Sequence, residues 1–245
     1  MRYKNLFPSG LRLGGILLVA SAAFAQQTVV TKAAIDRLEE RAETKLEKLS
    51  YRKTTIESNY LFDQKTPSDS WRDTLEVLRP DRWHLVTEVT GSRETSRSEL
   101  IGTGKKLYSR EGTGPWKILS LPVLTGSARD LELEPAEGLV LTYEYIYVGE
   151  QNLNGLLADL YWVTARHAKP TNPSDYFMQS VKKIWFDKKG RLLKKHVELT
   201  RRMFSDADVE RLKKIDPAVS NDEKMGESTT EYDYDIPIKI EAPIK

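Results

Sequence analysis

The segment Leu139–Thr200 constrains the fold of this chain more than any other, because its large side chains recur at a period of two. Leu139–Val148 (LVLTYEYIYV) places Tyr143, Tyr145 and Tyr147 on one face of a pleated strand, with Thr142, Glu144, Ile146 and Val148 on the other. Gly149–Gly155 is rich in turn residues, and Leu156–Thr164 (LLADLYWVT) reads as the returning strand. Symmetric closure of that hairpin sets Val148, Ile146 and Glu144 over Leu156, Ala158 and Leu160. Val181–Asp187, a turn at Lys188–Gly190 and Leu192–Thr200 predict a second hairpin. Helical spacing is absent, and aromatic and β-branched residues crowd these segments, so they form an antiparallel meander. Nothing in the meander carries catalytic chemistry.

Upstream of it the same rhythm holds. Tyr51–Leu61, Trp71–Leu78, Trp83–Val89, Arg97–Ile101, Lys106–Arg110 and Trp116–Leu119 read as strands at intervals of about ten residues. Gln64–Asp69, Arg79-Pro80-Asp81, Thr90–Thr95, Gly102–Gly104 and Glu111–Pro115 supply the turns. Trp83, Leu85 and Val89 alternate onto one face. Met225–Tyr234 is the last strand, and Asp235–Pro243 trails off as an extended edge.

Two helices interrupt the pattern. With Thr31 as N-cap, Ile35, Leu38, Ala42, Leu46 and Leu49 recur every three or four residues, giving one narrow apolar stripe among charged neighbours. Such a helix lies on a sheet, either as a fixed layer or as a movable lid. Ser205-Asp-Ala-Asp208 is a capping box opening a short helix in which Val209, Leu212 and Ile215 share a face. Leu121–Gly138, with a short helix around Ser127–Leu133, and Ala165–Ser180 break the alternation and read as irregular insertions.

The N-terminus reads as an address. Arg2, Lys4 and Arg12 precede the apolar run Leu13–Ala20, and Ala23-Phe24-Ala25 fits a small-x-small cleavage site. The run is short for a membrane span, so a signal peptide cleaved after Ala25 is expected, with an uncleaved anchor as the competing reading. Removing these three cations from 38 basic residues leaves 35 against 36 acidic ones. No basic excess supports nucleic-acid binding. Cysteine is absent, so disulfides, thiolate zinc sites and a lipid-modified cysteine are excluded, and Gln26 stands at the cleavage point. The expected product is an exported periplasmic protein with a single domain over 26–245.

Candidate chemistry is sparse. His84, His167 and His196 lie in separate segments, and no His, Asp and Glu set with ligand spacing suggests a metal. Neither a Gly-x-Ser-x-Gly elbow nor a phosphate-cradling loop occurs. Glu144 and Asp159 fall on opposite faces by the expected register, which disfavours a paired-carboxylate site. Trp71, Trp83, Trp116, Trp162 and Trp185 all sit in strands. They are either ordinary core or the lining of an apolar cavity covered by the first helix.

The order of several loose motifs resembles the LolA/LppX-like lipoprotein carrier superfamily. They are a helix running into Tyr51-Arg-Lys-Thr54, then Arg79-Pro-Asp-Arg-Trp-His-Leu85, Gly104-Lys-Lys-Leu-Tyr108 and Gly114-Pro-Trp116. Tyr147-Val-Gly-Glu150 with Asn154-Gly155, Ile184-Trp-Phe-Asp187 with Gly190, and Tyr234–Pro243 continue the series. The resemblance covers most of the chain. It implies a curved, unclosed antiparallel β-barrel of about ten or eleven strands, mainly β, with helices over an apolar concave face. It also implies a monomeric carrier that shelters acyl chains of lipids or lipoproteins, without enzyme activity or cofactor. The missing lipid-attachment cysteine fits a soluble branch of the group, and the Ser205–Asp216 insertion is unusual for a minimal carrier.

By alternation, the expected cavity lining is Trp83, Leu85, Val89, Ile146, Val148, Leu160 and Trp162, covered by a lid of Ile35, Leu38, Ala42 and Leu46. The rival to a carrier is a sensor or interaction module that binds a membrane-bound regulatory protein. A hydrolase is a further alternative that lacks a visible nucleophile–base arrangement.

Overall fold

The computed structural model describes residues 27–61, 65–91, 95–119, 131, 133–215, 217 and 221–244. The expected signal peptide over 1–25, Gln26 and most of the expected helix around Ser127 lie outside these residues. In chain order the elements are β1 (Thr28–Val29), α1 (Lys32–Leu46), β2 (Tyr51–Asn59), β3 (Asp69–Leu78), β4 (Arg82–Gly91) and β5 (Thr95–Thr103). They continue as β6 (Lys106–Glu111), β7 (Lys117–Leu119), β8 (Val140–Leu153), β9 (Leu156–Lys169), β10 (Asn172–Asp187), β11 (Leu192–Arg202), α2 (Asp206–Lys213) and β12 (Asp222–Asp233). No helix among the described residues is long and apolar enough to cross a membrane.

All twelve strands form one curved antiparallel sheet in the order β1-β8-β9-β10-β11-β12-β2-β3-β4-β5-β6-β7. Its two edges do not pair, so the barrel is unclosed. The β12–β2 pairing joins the last strand to the second one at the middle of the sheet. That connectivity fixes α1. It leaves β1 at the β8 edge and must deliver the chain to β2, six strand spacings away. Six spacings are roughly 29 Å and a 15-residue helix is about 22 Å long, so α1 and the short links at its ends cross the strands.

The caps agree with the sequence. Thr31 Oγ1 accepts from the Ala34 N–H at 3.3 Å, and Ser205 Oγ accepts from the Asp208 N–H at 3.2 Å. The α1 stripe buries Ile35 and Ala42 against Val163, Ile184 and Phe186, with Leu38, Tyr145 and Tyr161 packed around them. At its far end the Arg79 guanidinium donates to the Leu46 carbonyl at 2.7 Å and the Leu49 carbonyl at 3.3 Å.

Two expected breaks are strands. Only Asn154 and Gly155 turn the β8–β9 hairpin, both at positive φ (53° and 87°), as a two-residue turn requires. The glycine upstream marks a bulge instead: the register shifts between Tyr147 and Gly149, where Gly149 has φ 122°. Because the turn sits at Asn154–Gly155, Gly149 pairs with Leu160, and the bulge then moves the ladder by one residue so that Ile146 pairs with Trp162; neither is the symmetric partner expected. Ala165–Ser180 is likewise the β9–β10 hairpin. Its register shifts between Asn172 and Tyr176, a stretch containing Pro173, which has no N–H for the ladder. A proline and a run of polar residues hid a continuous strand pair.

The C-terminal tail is not a sheet edge. Ile238 and Ile240 pack on Ile101, Tyr108, Leu78 and Trp116, and Arg82 Nη1 donates to the Ile240 carbonyl at 3.3 Å.

Candidate functional site

Alternation through the register gives the sheet two faces, and α1 lies on the one carrying Tyr145, Val163 and Ile184. Carried across β11, β12 and β2, the same face presents Thr230, Thr55 and Lys53. From β2 to β4 it forms two largely apolar rows, Tyr51–Val77–Trp83 and Lys53–Leu75–Leu85, then a polar row, Thr55–Asp73–Thr87. The helix does not reach this part of the face. A cavity of about 530 Å³ stands there, floored by Leu75, Val77, Trp83 and Leu85 and closed at one end by the turn Arg79–Arg82.

Its walls are anchored. The Trp83 indole lies flat on Gly102, where an added Cβ would stand 2.3 Å from Nε1 and 2.4 Å from Cε2. Only glycine allows that approach. Tyr51 packs on Tyr232 and Tyr234 at ring separations of 6.0 and 6.3 Å, and burial pushes its phenol up from the usual value. Thr55 Oγ1 and Thr230 Oγ1 share a hydrogen bond of 3.1 Å, and Thr87 donates to Asp73 at 2.7 Å.

The expected lining residues do not converge. Trp83 and Leu85 line the cavity; Val89 shares their face but lies beyond it. Ile146, Val148, Leu160 and Trp162 are on the opposite face, with Val148 and Trp162 packed around a core of Ala158, Leu160, Trp185 and Leu193. The expected lid therefore does not cover them. Ile35, Leu38 and Ala42 pack on the tyrosine-bearing face instead, and Leu46 gives its carbonyl to Arg79. The physical reason is that β8 and β9 carry large side chains on both faces, so alternation separates the two sets without saying which one faces the helix. Within the hairpin the grouping is as expected: Glu144 faces Arg166 at 3.6 Å, while Asp159 accepts from Tyr147 at 3.0 Å on the other side.

Sequence reasoning missed Tyr51, Lys53, Leu75, Val77 and the Arg79–Arg82 turn as cavity residues. The period-two signal Leu75, Val77 was present in β3, but only pairing with β4 places it beside Trp83 and Leu85. A second cavity of about 200 Å³ lies under the first half of α1. Its lining carries two ion pairs, Lys32–Asp36 along α1 at 2.7 Å and Lys182–Glu39 between β10 and the helix at 3.4 Å, which suit it poorly to an apolar ligand.

The opposite face carries two polar clusters. Glu99 is buried, which pushes its pKa up, but hydrogen bonds from Arg110 (2.6 Å) and His84 (3.2 Å) outweigh this and hold it below the usual carboxylate range. The strand register also brings together His196, Glu198 and Glu227, with potential ligand atoms within 4.8 Å, a grouping the separated histidines did not suggest. The Lys224 ammonium bridges both carboxylates, at 2.6 Å from Glu227 and 3.5 Å from Glu198. Their charge is thereby met by the protein itself. Burial lowers the His196 pKa.

No family model matches the chain, and no curated protein matches it. Among solved structures it is similar to LprF from Mycobacterium bovis, at 10% identity and a TM-score of 0.42 over 89% of this chain and 100% of that one. It is also similar to a DUF1329 family protein from Desulfovibrio piger, at 11% identity and a TM-score of 0.26 over 86% and 96% of the two chains. A LolA superfamily protein from Nitrosomonas europaea matches at 11% identity and a TM-score of 0.26 over 85% and 96%.

Proposed function

We propose that this chain is a binding protein that shelters acyl chains of lipids or lipoproteins, acting as an exported periplasmic carrier with one domain over 26–245. The observation that carries the reading is the 530 Å³ cavity on the helix face, floored by Leu75, Val77, Trp83 and Leu85. An apolar cleft with a few charged groups at its rim is a standard form of ligand site. The driving force is ample: about 0.8 kcal/mol per buried methylene gives a fourteen-carbon chain roughly 10 kcal/mol before ordering costs. Charged groups at the Arg79–Arg82 turn give a polar head somewhere to sit while the chain lies on the floor.

The test is recovery of ligand from protein expressed with its leader in a bacterial envelope. Mass spectrometry of the purified protein should find acyl lipid in stoichiometric amount, and Leu85→Asp should lose it. Copurification of a membrane protein with no lipid would favour the interaction-module reading instead.

A further inference from the structure

We infer that the cavity selects amphiphiles whose head is an anion with its charge spread over several oxygens, a carboxylate or a phosphate, and that Arg79, Arg82 and Tyr51 hold it. The inference rests on the binding reading above and adds the head group to it. The floor of Leu75, Val77, Trp83 and Leu85 offers mainly apolar contact and does not choose between heads. That choice falls to the polar lining, which holds Lys53, Arg79 and Arg82 against Asp73 and Asp81. The two arginines are held unlike most others in the sheet. Arg52, Arg97, Arg110, Arg166, Arg191 and Arg201 each meet a carboxylate within 3.6 Å. Among the described residues Arg79 and Arg82 meet none. Backbone carbonyls hold them instead, Leu46 at 2.7 Å and Leu49 at 3.3 Å for Arg79, and Ile240 at 3.3 Å for Arg82. A carbonyl orients a guanidinium without cancelling its charge, and the end of α1 offsets only about half a unit.

The carboxylates of the lining do not undo this. Asp73 lies in the polar row at the other end of the floor, where it accepts from Thr87 at 2.7 Å. Asp81 stands at the turn with its carboxylate against the β5–β6 turn, Oδ2 being 3.3 Å from where a Cβ on Gly104 would stand. Two guanidiniums and this one carboxylate leave the turn with a net positive charge. Tyr51 adds a donor. Only 9% of it is exposed, and among the described residues its hydroxyl has no hydrogen-bond partner; its contacts are the rings of Tyr232 and Tyr234. A buried phenol ordinarily finds a partner, and here the side left open to it is the cavity it lines. The Arg79 charge reaches the same phenol and opposes the rise that burial causes, so the two groups are neighbours at this end. Forked guanidinium donors and a phenol O–H match carboxylate or phosphate oxygens, and the net charge repels a cationic head.

The experiment is displacement of the uncharged dye Nile red from protein expressed with its leader in a bacterial envelope, purified and delipidated. Four competitors share one chain and differ in the head: dodecanoate, dodecyl phosphate, dodecanol and dodecyltrimethylammonium, each below its micelle concentration at about pH 8, where the carboxylate is ionised. The two anions should bind about tenfold or more tighter than dodecanol, and the cation should be the weakest. The tighter anion tells a carboxylate head from a phosphate one. Added salt should weaken the anions and leave dodecanol alone. Arg82→Gln keeps a donor for the Ile240 carbonyl and removes the charge, whereas Tyr51→Phe keeps the ring contacts and removes the hydroxyl. Each should lower the ratio of anion affinity to dodecanol affinity by about threefold or more. An unchanged ratio in either variant would overturn the inference and leave the carrier reading intact, as would dodecanol or the ammonium binding as tightly as dodecanoate. Failure of every probe to displace the dye would overturn both.

Discussion

The two halves of the helix-bearing face are built from the same pleated pattern, yet one is core and the other is cavity. Over β8–β10, α1 presses Ile35 and Ala42 onto Val163, Ile184 and Phe186, and Ile184 is fully buried. Over β2–β4 the floor of Leu75, Val77, Trp83 and Leu85 is comparably apolar, and although Val77 is buried, Leu75, Trp83 and Leu85 stay only partly covered. The difference is not in the strands. It lies in the length and path of one helix, which ends at Leu46 and is tied down there by Arg79. A site here is a place that the covering layer does not reach.

The comparison can be broken from either side. The largest expected effect is at the filled half: Phe186→Ala should cost about 3–5 kcal/mol in denaturant unfolding, because it leaves a hole beneath α1. Ligand affinity of the surviving folded protein should change little. At the open half, Leu85→Asp should weaken binding of a fluorescent fatty acid by at least 100-fold, about 2.7 kcal/mol, with the circular dichroism of the sheet retained. Trp162→Asp, on the opposite face, should cost stability and leave the affinity of the folded fraction unchanged.

Smaller effects sharpen the picture. Gly102→Ala should cost about 1–3 kcal/mol and lower affinity together, since the new methyl displaces the Trp83 indole from its seat. The last prediction concerns pH. Glu99 is held below its ordinary pKa of 4.5 when folded, so its ionised form stabilises the protein above that value. This contribution is lost as pH falls through the lowered folded pKa. Glu99→Gln should therefore cost about 1–3 kcal/mol at neutral pH and flatten the acid limb of the stability curve. An unchanged acid limb would show that Arg97, Arg110 and His84 do not hold the carboxylate as described.

Much of this architecture was legible in the sequence, because strand existence follows from alternation and turns follow from glycine and proline. The stripe of α1, its Thr31 cap and the Ser205 box were all readable from spacing alone. Facing was not. Trp162 and Tyr145 are both large, and nothing local says that the tyrosine meets the helix. Bulges at Gly149 and near Pro173 were equally hidden, since the same residues signal a turn when read one segment at a time. The cavity needs three strands in register, and of its floor only Trp83 and Leu85 stand out in the sequence.

The most direct test is photo-crosslinking with a fatty acid carrying a diazirine near its methyl end, followed by mass spectrometric mapping of the adducts. The account predicts labelling on β2–β4 of the helix face, at Leu75, Val77, Trp83 or Leu85. Labelling concentrated on Ile146, Leu160 and Trp162, with the β2–β4 floor clean, would contradict it.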